Sequence, residues 1–197
     1  MNTHPFPSIS QVHRLALPKG MTRALIFSQV MAIVWWAVSL AIDSLGKFVV
    51  WNDQMRAFRA AAAIPLTPYE AHFLNPPWAV LFVWPFAQIP LAWGVLAQTM
   101  IYFAALVGVI YKFGGGMRAV VLMLSSYFAF AAVFELNIEW IVIVGLLLPP
   151  LWGVPLVLAK PQLALTYYLG LPRQTFVRAV IVGLVTLLIS FAVWGWW

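Results

Sequence analysis

The sequence predicts an all-α protein, a polytopic bundle of about seven transmembrane helices with a short amphipathic surface helix after the first span. Of the 197 residues, 64% are hydrophobic and only 8% are charged, whereas a soluble domain carries roughly 25% charged residues. The mean hydropathy is +0.95. Several uncharged stretches are long enough to cross the hydrocarbon core of a bilayer, which is about 30 Å thick. This composition cannot cover a water-exposed surface, so the chain is an integral membrane protein.

Charge and cysteine content exclude several classes of function. Eleven Lys and Arg against five Asp and Glu give a net charge of +6, but the cations are dispersed and predict no nucleic-acid-binding face. They are better suited to orienting the chain and contacting anionic lipid head groups, so membrane lipids are the first predicted partner. The chain has no cysteine, which excludes disulfides and thiolate metal sites. The three histidines, His4, His13 and His72, lie far apart, so no metal site and no cofactor are predicted.

A polar, basic N-terminal segment, residues 1–23, precedes the first span and contains Arg14, Lys19 and Arg23. Residues 24–42 form an uncharged stretch of 19 residues, about 28 Å long as a helix. A cleaved signal peptide has a shorter apolar core of roughly 7–15 residues. The stretch is therefore predicted to be an uncleaved first span, and the basic segment before it predicts a cytoplasmic N-terminus.

A short amphipathic helix is predicted at residues 53–63, in the polar connection after the first span. Apolar residues recur there at i, i+3 and i+7, including Phe58, and so share one helix face. Arg56 and Arg59 lie elsewhere on the helix. Such a helix lies on the membrane surface, with Phe58 toward the acyl chains and both arginines toward head groups or a bound phosphate.

Two apolar stretches are too long to be single spans. Residues 76–111 would make a helix of about 54 Å and residues 137–171 one of about 52 Å. Prolines break them, at Pro90 in the first stretch and at Pro149 and Pro150 in the second. Each stretch is therefore predicted to fold into two spans, with the two turns on opposite sides of the membrane. The bundle occupies residues 24–197, and its seven predicted spans are 24–42, 76–89, 91–111, 119–134, 137–148, 151–171 and 179–197, or six if residues 77–89 only re-enter the membrane.

Seven spans and a cytoplasmic N-terminus agree with the distribution of basic residues only in part. Arg173 and Arg178 then lie in a cytoplasmic loop, as the positive-inside rule requires. Lys112 and Arg118 fall in a loop on the other side, against the rule. The sequence alone leaves this conflict open.

Charged residues near the membrane are the natural candidates for function, because a charge in hydrocarbon is costly. Asp53 has two open interpretations. It either caps the surface helix, or it takes a proton from a hydroxyl group while Arg56 and Arg59 hold a phosphate. Lys160, next to Pro161, also has two: it snorkels to the interface, or it binds an anionic ligand in the membrane.

Two further acids, Glu135 and Glu139, are four residues apart. On one continuous helix they would share a face and repel each other. A loop is therefore predicted to bend the chain between them, with both carboxylates in water.

Several short motifs occur in a characteristic order along the chain. They are WND at 51–53, TPY at 67–69, NPPW at 75–78, LFVWPFAQIP at 81–90 and LAKPQLAL at 158–165. In this order the sequence resembles the N-terminal half of bacterial polytopic glycosyltransferases that use polyprenyl-phosphate-mannose, family 87, with the C-type glycosyltransferase fold. The resemblance covers residues 25 to 197, and it rests on the order and spacing of motifs that are individually short and apolar.

The resemblance implies an enzyme of the bacterial cytoplasmic membrane. Such an enzyme transfers a sugar, mannose in the first instance, from a polyprenyl phosphate to an acceptor on the non-cytoplasmic face, so the implied partner is a polyprenyl-phosphate sugar donor. Asp53 matches the first-loop acid of the family, the general base on the acceptor hydroxyl. The candidate substrate-binding residues are Arg56, Arg59, Tyr69, Asn75 and Lys160.

The sequence departs from the family in two respects. Family members are much longer and have further spans, which suggests a truncated or split enzyme whose partner membrane chain supplies the rest. Glu139 also stands near a position where many relatives have glutamine. The alternative hypothesis is a non-catalytic integral membrane subunit of a larger complex, which suits the small size and the few polar sites.

Overall fold

The computed structural model describes residues 18–46, 49–52, 57–163 and 165–195, and all regular secondary structure in these ranges is helical. Short 3-10 turns at Pro68–Ala71, Pro77–Ala79 and Pro161–Leu163 connect the helices. The α-helices, numbered in chain order, are α1 Met21–Ser44, α2 Arg59–Ala63, α3 Val80–Ala87, α4 Leu91–Lys112, α5 Met117–Leu124, α6 Tyr127–Glu135, α7 Glu139–Leu147, α8 Pro150–Val157, α9 Leu165–Leu169 and α10 Arg173–Trp194.

Three of the described helices, α1, α4 and α10, are long and apolar enough to cross a membrane. The helices α5 and α6 could form a fourth span together, although they are bent by 55° where they meet. Ser126 lies at the bend and caps α6, because its Oγ accepts a hydrogen bond from the backbone N of Ala129 at 3.3 Å. The predicted class, a helical membrane protein, is confirmed.

The predicted count of about seven spans is wrong for the part of the chain that the structure describes. The helices α3, α7 and α8 contain only eight or nine residues each, about 12–14 Å, which is less than half the thickness of the hydrocarbon core. The predicted spans 76–89, 137–148 and 151–171 therefore do not cross as single helices. Most apolar residues of α7 are covered by protein instead, since Trp140, Ile141 and Val142 are all buried. The short helices α3 and α8 are covered only in part, because Trp84 and Trp152 are exposed.

The helices α7 and α8 form a tight hairpin around the predicted break at Pro149 and Pro150. A side-chain carbon added to Gly153 would collide with the carbonyl oxygen of Gly145, so the two backbones touch at this point. Small residues permit such close helix contacts within membranes. The hydroxyl of Tyr168 donates a hydrogen bond to the Pro150 carbonyl at 2.9 Å and holds the turn from outside.

The helix α4 is the centre of the bundle. In their most apolar windows, 50% of α4 is buried, against 17% for each of α1 and α10. Trp36 Nε1 donates to the Ala92 carbonyl at 2.8 Å, and Gln29 Nε2 donates to the Met100 carbonyl at 3.3 Å. These contacts make α1 antiparallel to α4. The helices α1 and α10 therefore lie at the periphery.

One end of the bundle gathers most of the described cations. The start of α1 lies beside the end of α4, where Lys112 Nζ donates to the Leu146 carbonyl at 2.6 Å. The rings of Phe113 and Tyr167 lie 5.8 Å apart, which brings the start of α10 to the same end. We name this the basic end, and it comprises Lys19, Arg23, Lys112, Arg118, Arg173 and Arg178.

The opposite end of the bundle is formed by the last turn of α1, which contains Asp43, and by the ends of α6 and α10. The backbone N of Trp51 donates to the Phe134 carbonyl at 2.7 Å. Trp194 Nε1, at the end of α10, donates to the Pro65 carbonyl at 2.8 Å. The turn at Pro90 lies at this opposite end, and the hairpin turn lies beside Lys112 at the basic end. The sides of the membrane on which the two turns lie stay a prediction.

The surface helix differs from the prediction. Only α2, five residues long, lies within the described part of the predicted segment 53–63. Phe58 just before it was expected to face acyl chains, but it is 1% exposed, and its ring packs 5.9 Å from that of Phe73. That prediction is wrong because the chain returns through Phe73 and Ala79 and covers the apolar face with protein.

Candidate functional site

An ion pair between Lys160 and Glu139 is the polar centre of the candidate site. Lys160 Nζ donates to Glu139 Oε1 at 2.9 Å, and the two side chains are 18% and 32% exposed. Glu139 is the first residue of α7, and Lys160 follows the last turn of α8. The hairpin brings them together because its two helices run in opposite directions from one turn.

The prediction for the two acids around the loop is half correct. The chain does bend between Glu135 and Glu139, with Leu136 in the left-handed conformation at φ 51°, and Glu135 is exposed. Glu139 is not simply in water, because it accepts the hydrogen bond from Lys160. The structure supports neither of the two interpretations of Lys160 by itself. The ammonium group is already paired with Glu139, a counter-ion within the protein.

The pair lies deep along the bundle axis. Tyr102 of α4 packs against the apolar cluster that contains Ile138 and Trp140, the residues on either side of Glu139 in the chain. Tyr102 follows the first residue of α4, Leu91, by 11 residues, about 16 Å along the helix, and Lys112 ends the helix a similar distance further on. The ion pair therefore lies level with the middle of a membrane-spanning helix, where an unpaired charge would be costly.

A buried polar side chain without a hydrogen-bond partner among the described residues, Gln98, lies on α4 as well. Gln98 is fully buried, and neither its amide oxygen nor its amide nitrogen has a hydrogen-bond partner among the described residues. It precedes Tyr102 by one helical turn, so the two share a face of α4. A buried polar group without a partner destabilises the fold by about 1–3 kcal/mol.

An apolar groove of about 300 Å³ lies between α8, α9 and α10. Val157, Leu158 and Pro161 form part of one wall, and Lys160 lies in the chain between the last two. The hydroxyl of Tyr168, which also lines the groove, is bound to the Pro150 carbonyl. The groove therefore offers hydrocarbon contacts along its length. Lys160 is not among the residues that line it, and the ammonium group of Lys160 is bonded to Glu139 of α7.

The other predicted site residues are placed as follows. Asp53 and Arg56 lie outside the described residues. Arg59 is half-buried, and its Nη1 donates to the Ile89 carbonyl at 2.9 Å, just before α4. Tyr69 is half-buried in a 3-10 turn, and burial raises the pKa of its hydroxyl above the ordinary value. Asn75 is half-buried in the turn before the second 3-10 helix.

A central apolar cluster joins the segments that carry these residues. The segments meet through neighbours of the candidate residues rather than through the candidate side chains themselves. Arg59 lies near the start of α4 and Lys160 lies level with its middle, so the two cations are at different depths. The buried residues of the cluster are Phe58, Ala61, Phe73, Ala79, Val80, Val83, Ile138, Trp140, Ile141 and Ala159.

Glu139 is the residue of the site that sequence reasoning missed. A usable signal was present, because Glu139 and Lys160 are the two charged residues in the 35-residue apolar stretch 137–171. Opposite charges isolated in an apolar hairpin are expected to pair, since each is costly alone. In the described part of the chain, no group of three or more His, Cys, Asp or Glu side chains could hold a metal ion.

Comparisons with models of protein families, with curated proteins and with solved structures give no match. The class of this protein is defined by its fold and its site. It is a helical membrane protein with an ion pair deep in its bundle, beside an apolar groove.

Proposed function

We propose that this protein is a glycosyltransferase, or a close derivative of one, that transfers a sugar from a polyprenyl phosphate to an acceptor on the non-cytoplasmic face of the bacterial cytoplasmic membrane. Mannose is the proposed sugar, on the basis of the sequence resemblance. The observation that carries the proposal is Lys160, which is paired with Glu139 and lies in the chain between Leu158 and Pro161, two residues that line the apolar groove.

This site suits an amphiphilic anion. A polyprenyl-phosphate sugar consists of a long hydrocarbon chain, a phosphate and a sugar. The groove supplies the apolar surface for part of the chain, and the ammonium group of Lys160 supplies a charge-assisted hydrogen bond for the phosphate. A lipid phosphate is already a good leaving group. The protein then has to supply a base, positioning and a nearby cation.

The orientation that the proposal needs follows from the charges. Cytoplasmic segments carry an excess of Lys and Arg, so we assign the basic end to the cytoplasm. Lys112 and Arg118 lie at the same end as Arg173 and Arg178, and the conflict that arose from seven spans disappears. The opposite end, with Arg59 near the start of α4, then faces the non-cytoplasmic side.

The orientation can be tested with single cysteines, because the natural chain has none. Gln88→Cys, at the exposed opposite end, should react with an impermeant thiol reagent in intact spheroplasts. Gly116→Cys, exposed at the basic end with open space around it, should react only after permeabilisation. The reverse pattern would place the candidate site on the cytoplasmic side and contradict the proposal.

The direct test is a sugar-transfer assay. Membranes that contain the full chain are given a polyprenyl-phosphate mannose with a radioactive sugar, and label is measured in products separated from the donor. We expect transfer that depends on the chain, against a control of membranes without it. Absence of transfer, both with the chain alone and with membrane proteins that copurify with it, would overturn the proposal.

A second candidate, a non-catalytic membrane subunit, is favoured by the surfaces of α1 and α10. Only 17% of the most apolar window of each helix is buried, so a partner membrane chain has two long apolar faces available. A partner that copurifies in fixed ratio, together with no sugar transfer by the complex, would favour this candidate.

A further inference from the structure

The groove between α8, α9 and α10 is open on its outer side. Val180 and Leu184 line it from α10 and are 44% and 56% exposed. Among its described lining residues, Tyr168 is the one with a polar side chain, and its hydroxyl already donates to the Pro150 carbonyl. A volume of about 300 Å³ is at the lower end for ligand pockets, ~300–1,000 Å³. The groove therefore suits a single hydrocarbon chain that enters from the surrounding lipid.

The groove follows α10 from the basic end into the bundle. Its lining residues on α10 begin at Phe176 and end at Leu187, a distance of about 17 Å along the helix. Half of a hydrocarbon core of ~30 Å is about 15 Å, so the groove is about as deep as one leaflet. Tyr168 lines it at the basic end, where the neighbouring Tyr167 ring lies 5.8 Å from that of Phe113. An acyl chain of the leaflet at the basic end matches this depth.

Arg173 lies on the same face of α10 as the groove, one turn closer to the basic end. It is the first residue of α10 and is exposed. Groove residues follow it at i+3, i+7, i+11 and i+14, the spacing of a single helix face; they are Phe176, Val180, Leu184 and Leu187. Unlike the Lys160 ammonium, the Arg173 guanidinium has no hydrogen bond or ion pair with another described residue. It is therefore available to an anion at the head-group level.

We propose that the groove binds one acyl chain of an anionic phospholipid from the leaflet at the basic end, with the lipid head group at Arg173. Lipid tails are as apolar as the groove, so hydrophobicity alone gives no preference for this position. The preference comes from close packing of the chain and from the charge of Arg173. One Lys or Arg near the membrane surface raises the affinity for an anionic lipid about fivefold.

This inference is independent of the proposed function. A polyprenyl donor chain, for which the same groove offers apolar surface, would have to displace the acyl chain. The phospholipid therefore occupies the groove whether or not the protein transfers a sugar.

The test locates the tail of a photoactivatable lipid. The full chain is placed in phosphatidylcholine nanodiscs that contain a small fraction of phosphatidylglycerol or phosphatidylcholine, each with the same diazirine-bearing acyl chain. Crosslinked residues are identified by mass spectrometry. We expect crosslinks to concentrate in the groove, at Leu158 and Gly183, rather than on the exposed face of α1 at Ile26 and Val30. Phosphatidylglycerol should give about fivefold more groove crosslinks than phosphatidylcholine.

Two pairs of variants separate the head group from the groove. Arg173→Gln should reduce the fivefold preference to less than about twofold. Arg178→Gln removes the same charge at the same end of α10, but from another face of the helix, and should leave the preference intact. Val180→Trp fills the groove from an exposed position and should remove the groove crosslinks. Ile181→Trp enlarges the neighbouring exposed residue, which does not line the groove, and should preserve them.

The outcomes that contradict the inference are distinct. Crosslinks spread over α1 and α10 in proportion to exposure would overturn it, because the groove would then be ordinary lipid-facing surface. An absence of groove crosslinks in the natural protein would also overturn it, as expected if another protein chain covers the groove. Equal yields from the two lipids, or a preference that Arg178→Gln lowers as much as Arg173→Gln does, would overturn the assignment of the head group to Arg173.

Discussion

An Asp53→Asn variant is expected to lose sugar transfer by about 10²–10⁴-fold, the usual contribution of a general base. The amide has nearly the same shape as the carboxylate, but it cannot take a proton from the acceptor hydroxyl. Asn caps a helix about as well as Asp, so the stability of the protein should not change. The measurement is the initial rate of transfer in membranes, normalised to the amount of folded protein.

Buried residues on both sides of Asp53 make this substitution informative. Asp53 lies outside the described residues, but Trp51 before it is 2% exposed, and Trp51 Nε1 donates to Ser39 Oγ at 3.1 Å. Phe58 after it is buried against Phe73. The substitution of Asn for Asp between the buried residues Trp51 and Phe58 is therefore not expected to change how the chain folds. Full activity in Asp53→Asn would leave the residue as a helix cap and remove it from the mechanism.

A Lys160→Met variant is expected to lower the free energy of unfolding by about 3 kcal/mol, the low end of the range for breaking a buried ion pair. The low end applies because both side chains are partly exposed. Methionine fills most of the volume of the lysine stem, so the loss comes chiefly from leaving Glu139 without a cation beside it. The measurement is reversible unfolding by SDS in mixed micelles.

The double variant Lys160→Met with Glu139→Gln separates charge from packing. It removes both charges, and we expect it to recover most of the loss, because replacing a whole buried pair by uncharged groups is often neutral. Lys19→Met is the matched control, since Lys19 is exposed at the basic end and its loss should change stability by less than about 0.5 kcal/mol. A double variant as unstable as Lys160→Met would show that packing, not charge, holds the hairpin.

The helices themselves could be predicted well from local sequence. The predicted first span, 24–42, lies within α1, and the predicted break at Pro90 is the residue before α4. Pro149 and Pro150 likewise separate α7 from α8. Proline lacks a backbone N–H and restricts the residue before it, so its effect on a helix is local and readable from sequence.

The number of spans could not be predicted in the same way. Hydropathy measures whether a segment avoids water, but a segment buried in protein and a segment facing lipid avoid it equally. The stretch 137–171 is as apolar as a pair of spans, yet it folds into a hairpin whose helices touch at Gly145 and Gly153. The glycines that permit this contact have no partner until the second helix is in place.

The candidate site could be predicted only in part, because the sequence does not show how the segments pack. Lys160 was selected because a cation in an apolar segment is unusual, and that is a property of the sequence alone. Arg59 was selected with it, but in the structure it bonds to the Ile89 carbonyl at a different depth. Which charged side chains come into contact depends on how the segments pack against one another.

The sequence by itself determined the class of the protein, a helical membrane protein, because composition fixes which solvent the surface can face. It also determined where the helices break, because proline acts within a few residues of its own position. Only the tertiary structure decided that Lys160 pairs with Glu139 and that the scattered basic residues gather at one end. Both depend on contacts between residues far apart in the chain, such as those of Lys112 with Leu146 and of Phe113 with Tyr167.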